Sequence, residues 1–111
     1  MRPTRVEIDL AAIRHNITEI RKLTGRPIIM AIKADAYGHG AAAVGRLVQE
    51  HALVEMLGVT SIEEGIDLRE AGITLPVLIF TLVDKTREDI DALFEHNLTP
   101  TLADTYLMES L

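Results

Sequence analysis

Lys33 is the residue in this 111-residue sequence whose type and setting could do chemistry. It closes the apolar run Met30-Ala31-Ile32, and Tyr37, Gly38, His39 and Gly40 follow within one short loop. A primary amine partly withdrawn from water shifts toward its neutral form, which can add to a carbonyl carbon and form a Schiff base. Such a lysine points to carbonyl chemistry, pyridoxal phosphate chemistry included, rather than to simple ion pairing. The plainer reading is a solvated lysine ending a strand, its stem on the protein and its ammonium in water. Gly38 and Gly40 give the loop backbone freedom to approach a ligand closely.

A lysine in that place needs a strand beneath it. Ile28 to Ile32 is short, rich in β-branched residues and without alternating polarity, which suits a strand buried on both faces of a helix-covered parallel sheet. Side-chain alternation puts Ile29, Ala31 and Lys33 on one face and Ile28, Met30 and Ile32 on the other. In a (β/α) barrel Lys33 then points inward from the carboxyl end of its strand, where barrels and open α/β sheets keep their chemistry.

The flanking elements follow from their punctuation. Val6 to Leu10 reads as a short extended piece, and Asp9 is placed to cap a helix with the apolar stripe Leu10, Ile13, Ile17, Ile20 and Leu23. Its other face carries Arg14, Glu19, Arg21 and Lys22, a solvated surface. Gly25 and Pro27 end that helix. Ala41 to about Glu50 is a second helix, with Val44, Leu47 and Val48 inward, and Met56 to Thr60 a second strand. Ser61 and Glu64 form a capping-box pattern for a helix through Ile62, Ile66 and Leu68 that Gly72 stops. Val77 to Phe80 is a third strand, and Thr86 caps a helix through Ile90, Leu93 and Phe94. Leu98 to Leu102 is a fourth strand, and Asp104 opens a further helix. Strand and helix thus alternate, implying right-handed crossovers and a parallel sheet. A full (β/α)8 barrel takes about 250 residues, so the expectation is either a small open sheet or a fragment holding about half of a barrel.

Composition narrows the class of function. With 48% hydrophobic residues the chain can bury a real core, and it has no linker or low-complexity segment. A net charge of −6, with 11 basic residues that never cluster beyond the Arg21-Lys22 pair, argues against a nucleic-acid partner. The absence of cysteine excludes disulfides, Cys-based zinc sites and a thiol nucleophile, and fits a cytoplasmic protein. The N-terminus carries no signal-peptide pattern, and no uncharged apolar run approaches the roughly 20 residues of a membrane helix. His15, His51 and His96 are scattered without ligand spacing, so no metal site is predicted.

The segment Ala31-Ile32-Lys33-Ala34-Asp35-Ala36-Tyr37-Gly38-His39-Gly40 closely resembles the pyridoxal-phosphate lysine motif of alanine racemases. Further stretches are similar to the same family in the same order: Arg2-Pro3-Thr4 with Val6 to Leu10, Leu57-Gly58-Val59, Glu63-Glu64-Gly65, Leu68 to Ile73, and Leu98 to Thr101. The resemblance covers essentially residues 1-111. It implies that they are the N-terminal portion of a barrel domain: an α/β fold, a partial (β/α)8 TIM-type barrel with parallel strands and about half of the barrel present. In whole family members a β-rich C-terminal domain follows and the protein is a head-to-tail homodimer.

What the resemblance implies for the site is specific. Lys33 would carry pyridoxal 5'-phosphate as an aldimine and act as the base on one face of the substrate's α-carbon. Tyr37 would hydrogen-bond the cofactor phosphate; without the resemblance its ring would simply pack in the barrel mouth with a wet hydroxyl. Phe80 falls where the family has an apolar side chain near the cofactor, though phenylalanine is bulkier than an aliphatic residue. His39 is read as a loop histidine bonded to backbone, because the family assigns base catalysis elsewhere. Asp35 would tune Lys33 or merely pin the loop. The second acid/base, a tyrosine in the family's C-terminal domain, and the arginine beside the pyridine nitrogen have no counterparts here, and Tyr106 lies in the wrong region to substitute. The implied function is interconversion of L-alanine and D-alanine, supplying D-alanine for peptidoglycan, with these 111 residues alone expected to be inactive. Alternatives are a racemase of broader substrate range, a non-catalytic pyridoxal-phosphate-binding barrel protein, and a half-barrel that self-associates through its open sheet edges.

Overall fold

Local caps set the elements of the computed structural model, which describes residues 4–83 and 86–102. The Asp9 carboxylate accepts from Ala12 N at 3.0 Å and starts α1, Leu10–Thr24, which Gly25 ends at φ +59. Ser61 accepts from Glu64 N at the head of α4 (Ile62–Glu70), and Thr86 from Asp89 N at the head of α5 (Arg87–Glu95). All three sequence-assigned caps stand. The expected α1 stripe is only half used: Ile17 is buried and Leu10 and Ile13 are half-buried, but Ile20 and Leu23 face outward, because no second layer covers that side of the helix among the described residues. Val6 to Leu10 contributes no strand to the sheet; residues 4–9 are irregular and exposed.

Four strands, β1 (Ile29–Ala31), β2 (Met56–Val59), β3 (Val77–Leu82) and β4 (Leu98–Thr101), form one parallel sheet in chain order. Helices α1, α3 (Ala41–Glu50), α4 and α5 lie between or before them. Met30, Leu57, Val77 and Leu98 share one row of the ladder, and Ala31, Gly58, Leu78 and Thr99 the next. The two rows belong to opposite faces. Ile32, Leu57, Val59, Val77 and Ile79 are fully buried under the helices, while Ile29 and Phe80 of the other face are 54% and 40% exposed. The apolar runs therefore cover one face only, not the two that the sequence pattern predicts. Consecutive parallel strands with all helices on one side are the wall of a barrel; a doubly wound sheet would reverse its order and cover both sides. The fold is four strands of a (β/α)8-type barrel, with its interior face open.

Two features of that face bear on the site. A Cβ at Gly58 would clash with the tip of the Phe80 ring, at its Cζ, so the glycine is what lets the ring approach β2. Opposite, Pro100 has no amide hydrogen to donate, and the β3–β4 ladder slips between Leu78/Thr99 and Leu82/Thr101. The resulting irregularity breaks the alternation, leaving Phe80, Thr81 and Leu82 all exposed.

At the other end of the sheet, long polar side chains tie down the turns that lead into the strands. Arg69 donates to four carbonyls: from Nε to His96 O (2.8 Å), from Nη1 to Ile73 O (3.0 Å) and Leu75 O (2.7 Å), and from Nη2 to Asn97 O (2.9 Å). The Gln49 carbonyl accepts from Thr74 N and Leu75 N, and Glu55 accepts from Arg21 and from Ile28 N. No helix among the described residues is long and apolar enough to cross a membrane.

Candidate active site

A turn with an unusual hand follows the carboxyl end of β1 and packs beside that of β2. β1 stops at Ala31, and Ile32, at φ −124 and ψ 28, has already left extended geometry, although its amide still bonds Gly58 O at 2.8 Å. Lys33 therefore stands just beyond the strand, at the head of α2 (Lys33–Tyr37), and strand alternation no longer fixes its direction. Ala34, Asp35, Ala36 and Tyr37 all have positive φ, between +51 and +56, so α2 is one left-handed helical turn. The sequence puts backbone freedom at Gly38 and Gly40; the structure adds four residues with side chains to the same unusual region. Each such residue costs about 1–2 kcal/mol relative to its right-handed form.

Local bonds and one from α4 hold that strain in place. Ala34 N donates to Glu64 Oε2 at 2.8 Å, Ala36 N to Ile32 O at 2.9 Å, Gly40 N to Asp35 O at 2.9 Å and Ala41 N to Asp35 Oδ1 at 2.8 Å. Of the two roles open to Asp35, the geometry supports pinning: its carboxylate caps the start of α3. His39 Nδ1 lies 3.0 Å from Ala36 O, and since a carbonyl only accepts, that nitrogen carries the proton. His39 is thus a loop histidine bonded to backbone, as read from the sequence.

Replacing exposed Ala34 by glycine is expected to stabilise the chain by about 0.5–1 kcal/mol, after subtracting the extra freedom of glycine in the unfolded state. The urea midpoint reads this directly. A lower midpoint for Ala34→Gly would mean that the turn is relaxed.

Lys33 and Tyr37 come together at this turn. Lys33 Nζ sits 5.9 Å from the centre of the Tyr37 ring, within the range of a cation–π contact. The ammonium has no carboxylate partner among the described residues, and the Tyr37 side chain is largely exposed. Phe80 follows Leu78 on the open face and its ring tip lies against Gly58, an apolar surface one strand from β1. Hydroxyls brace the strand ends: Thr81 donates to Thr60 O at 2.7 Å and Thr101 to Ile79 O at 2.6 Å. Among the described residues no group of three His, Asp or Glu side chains is placed to hold a metal.

Glu64 is the site residue that sequence reasoning missed. Only the Ser61 half of the expected capping box forms, with Ser61 Oγ accepting from Glu64 N at 3.1 Å. The carboxylate turns away, its Oε1 accepting from Thr60 N and Thr60 Oγ1, both at 2.8 Å, and its Oε2 from Ala34 N. Burial pushes its carboxyl up, but the hydrogen bonds from Thr60 and Ala34 outweigh that and hold it below the usual carboxylate range. Glu64 lines a cleft of about 260 Å³ behind the turn with Asp35, Ala41 and Asp67, on the helix side; Lys33 is not among its lining residues.

Comparison with known proteins agrees over the whole segment. Residues 8–111 match the family described as alanine racemase, N-terminal domain. Alanine racemase 1 of Caldanaerobacter subterraneus subsp. tengcongensis is 45% identical over 106 residues, covering 94% of this chain and 26% of that protein. The solved alanine racemase of Clostridium difficile superposes with a TM-score of 0.86 at 36% identity, over 99% of this chain and 28% of that one. A histidine racemase from Leuconostoc mesenteroides superposes with a TM-score of 0.80 at 25% identity, over 93% of this chain and 27% of that one. The chain spans little more than a quarter of the length of these relatives.

Proposed function

The chain belongs to the alanine racemase family, and from that premise we propose that residues 1-111 form the N-terminal portion of a pyridoxal 5'-phosphate barrel domain in a protein that interconverts L- and D-alanine. The observation that carries this is Lys33: an amine with no carboxylate partner among the described residues, at the carboxyl end of a barrel strand, on a turn held in a strained conformation. The residues fit the cofactor. A covalent anchor needs an unpaired amine, a phosphate needs a donor such as the Tyr37 hydroxyl, and a planar ring needs an apolar surface such as that of Phe80 over Gly58.

When bound, pyridoxal phosphate supplies an electron sink for the carbanion at the substrate's α-carbon. Lys33 Nζ then has two duties, anchoring the cofactor and accepting or returning the α-proton on one face of the substrate. The Tyr37 hydroxyl would donate to the phosphate, its ring already lies against Lys33 Nζ, and Phe80 would supply an apolar surface that keeps water from the cofactor. The second proton-handling group, the homodimer and the C-terminal β domain are assigned to the remaining length that the relatives have. The setting is cytoplasmic, the product D-alanine for peptidoglycan, and a nucleic-acid partner is disfavoured by the −6 net charge. The similarity to a histidine racemase favours, as second reading, a racemase with a different or broader amino-acid range.

The test is incubation of the chain with pyridoxal 5'-phosphate, borohydride reduction and peptide mapping. A reduced adduct at Lys33, with little at Lys22 or Lys85, is the expected result. Equal labelling of all three lysines would reject a preformed site.

A further inference from the structure

The Lys33–Ala34 peptide bond is where the site lysine meets the strained turn, and its N–H has no acceptor inside that turn. The turn's own bonds begin with Ala36 N to Ile32 O. The acceptor for Ala34 N comes instead from the first turn of α4, where Glu64 also binds Thr60 at the end of β2. One carboxylate thus joins three elements at the point from which Lys33 projects.

The orientation of that peptide plane is set by ψ of Lys33, so an acceptor fixed on Ala34 N fixes the backbone torsion next to the Lys33 Cα–Cβ bond. We propose that Glu64 is a positioning residue for Lys33: through the Ala34 amide it holds the left-handed turn, and with it the direction in which the lysine amine is presented. This rests on the reading of Lys33 as the cofactor lysine. The chemistry requires a carboxylate in particular. Two backbone N–H groups point at the two oxygens, one at each, and the Thr60 hydroxyl adds a third donor. An ionised carboxylate accepts from all of them, whereas a glutamine amide must point its own N–H groups at a donor. Asp67 and Asp35, the other acids of the cleft, do not take its place: Asp35 is engaged at Ala41 N, and Asp67 makes no bond to the turn.

Glu64→Gln, close in shape but mismatched in donors, separates positioning from packing. The measurement is the rate of borohydride-trapped adduct formation with pyridoxal 5'-phosphate at Lys33, relative to Lys22 in the same sample, with the folded fraction checked by circular dichroism. The ratio is expected to fall about tenfold, the scale of one lost hydrogen bond to a charged group, while Lys22 labelling is unchanged. A purely structural role would lower the folded fraction and leave the ratio in folded protein as it was. An unchanged ratio in folded Glu64→Gln overturns the proposal and leaves Lys33 as the cofactor lysine. Absence of Lys33 selectivity in the unaltered chain overturns that reading and this one together. If Glu64→Gln does not fold, amide exchange in the unaltered chain decides: Ala34 N–H is expected to exchange at least tenfold more slowly than Asp35 N–H, and equal rates overturn the proposal.

Discussion

Lys33→Ala is expected to lower alanine racemisation by about four orders of magnitude or more in a protein that carries this chain within the full length its relatives have. A positioned general base contributes typically 10²–10⁴-fold, and the same substitution also removes the covalent hold on the cofactor, which supplies the proximity term. Lys33→Arg should be equally inactive, because a guanidinium stays charged and can neither anchor the cofactor nor accept the proton. The fold should survive both changes: Lys33 is only half-buried and has no ion pair among the described residues, so stability should shift by no more than about 0.5 kcal/mol. Exchange of the alanine α-hydrogen with deuterated solvent, followed beside thermal unfolding, checks both halves. Racemisation within tenfold of the unaltered protein would remove Lys33 from the chemistry.

Arg69→Ala should do the reverse, unfolding the chain without touching the site. Its guanidinium reaches four carbonyls in two separate turns, residues 73–75 after α4 and residues 96–97 after α5. Those carbonyls lie in the turns just beyond the two helices, outside the helical ladder. Hydrogen bonds to charged groups are worth about 1.5–3 kcal/mol each when taken singly, and water can replace part of them at a half-buried position. A net loss of about 2–4 kcal/mol follows, a large share of the stability of a small domain. Arg69→Lys should recover less than half, since one ammonium cannot span a planar four-way fork. Urea unfolding measures both variants. A loss below about 1 kcal/mol for Arg69→Ala would show that solvent satisfies these carbonyls equally well.

These two residues mark the boundary of what the sequence discloses. Caps are local, and so Asp9, Ser61 and Thr86 were readable from residue type and spacing. The alternation of strand and helix was readable for the same reason, and with it the parallel sheet. Lys33 stood out because an amine at the end of an apolar strand is chemically conspicuous, and the motif around it carried the family. The sequence pattern offered Glu64 only as a capping residue and gave Arg69 no role, because the partners that matter most, Ala34 for Glu64 and His96 for Arg69, lie 30 and 27 residues away, a separation no helical period encodes. The left-handed turn was invisible for a stronger reason: local preference at Ala34 to Tyr37 opposes it, and it is held partly by a bond from Glu64, 30 residues away. Nor could the pattern show that Ile20 and Leu23 would face outward, since an apolar stripe states what can be buried, not what is available to bury it.

The turn at residues 34–37 also has a stereochemical meaning. With φ and ψ near +50 at Ala34, Asp35 and Ala36, the backbone traces the mirror image of an ordinary helical turn. That conformation is strained for L-residues because of where their Cβ points, and would be relaxed for D-residues by symmetry. The segment that presents the lysine is thus a stretch of L-chain folded as its enantiomer would prefer, so the handedness of the surrounding scaffold, not that of the four residues themselves, decides which way the amine faces.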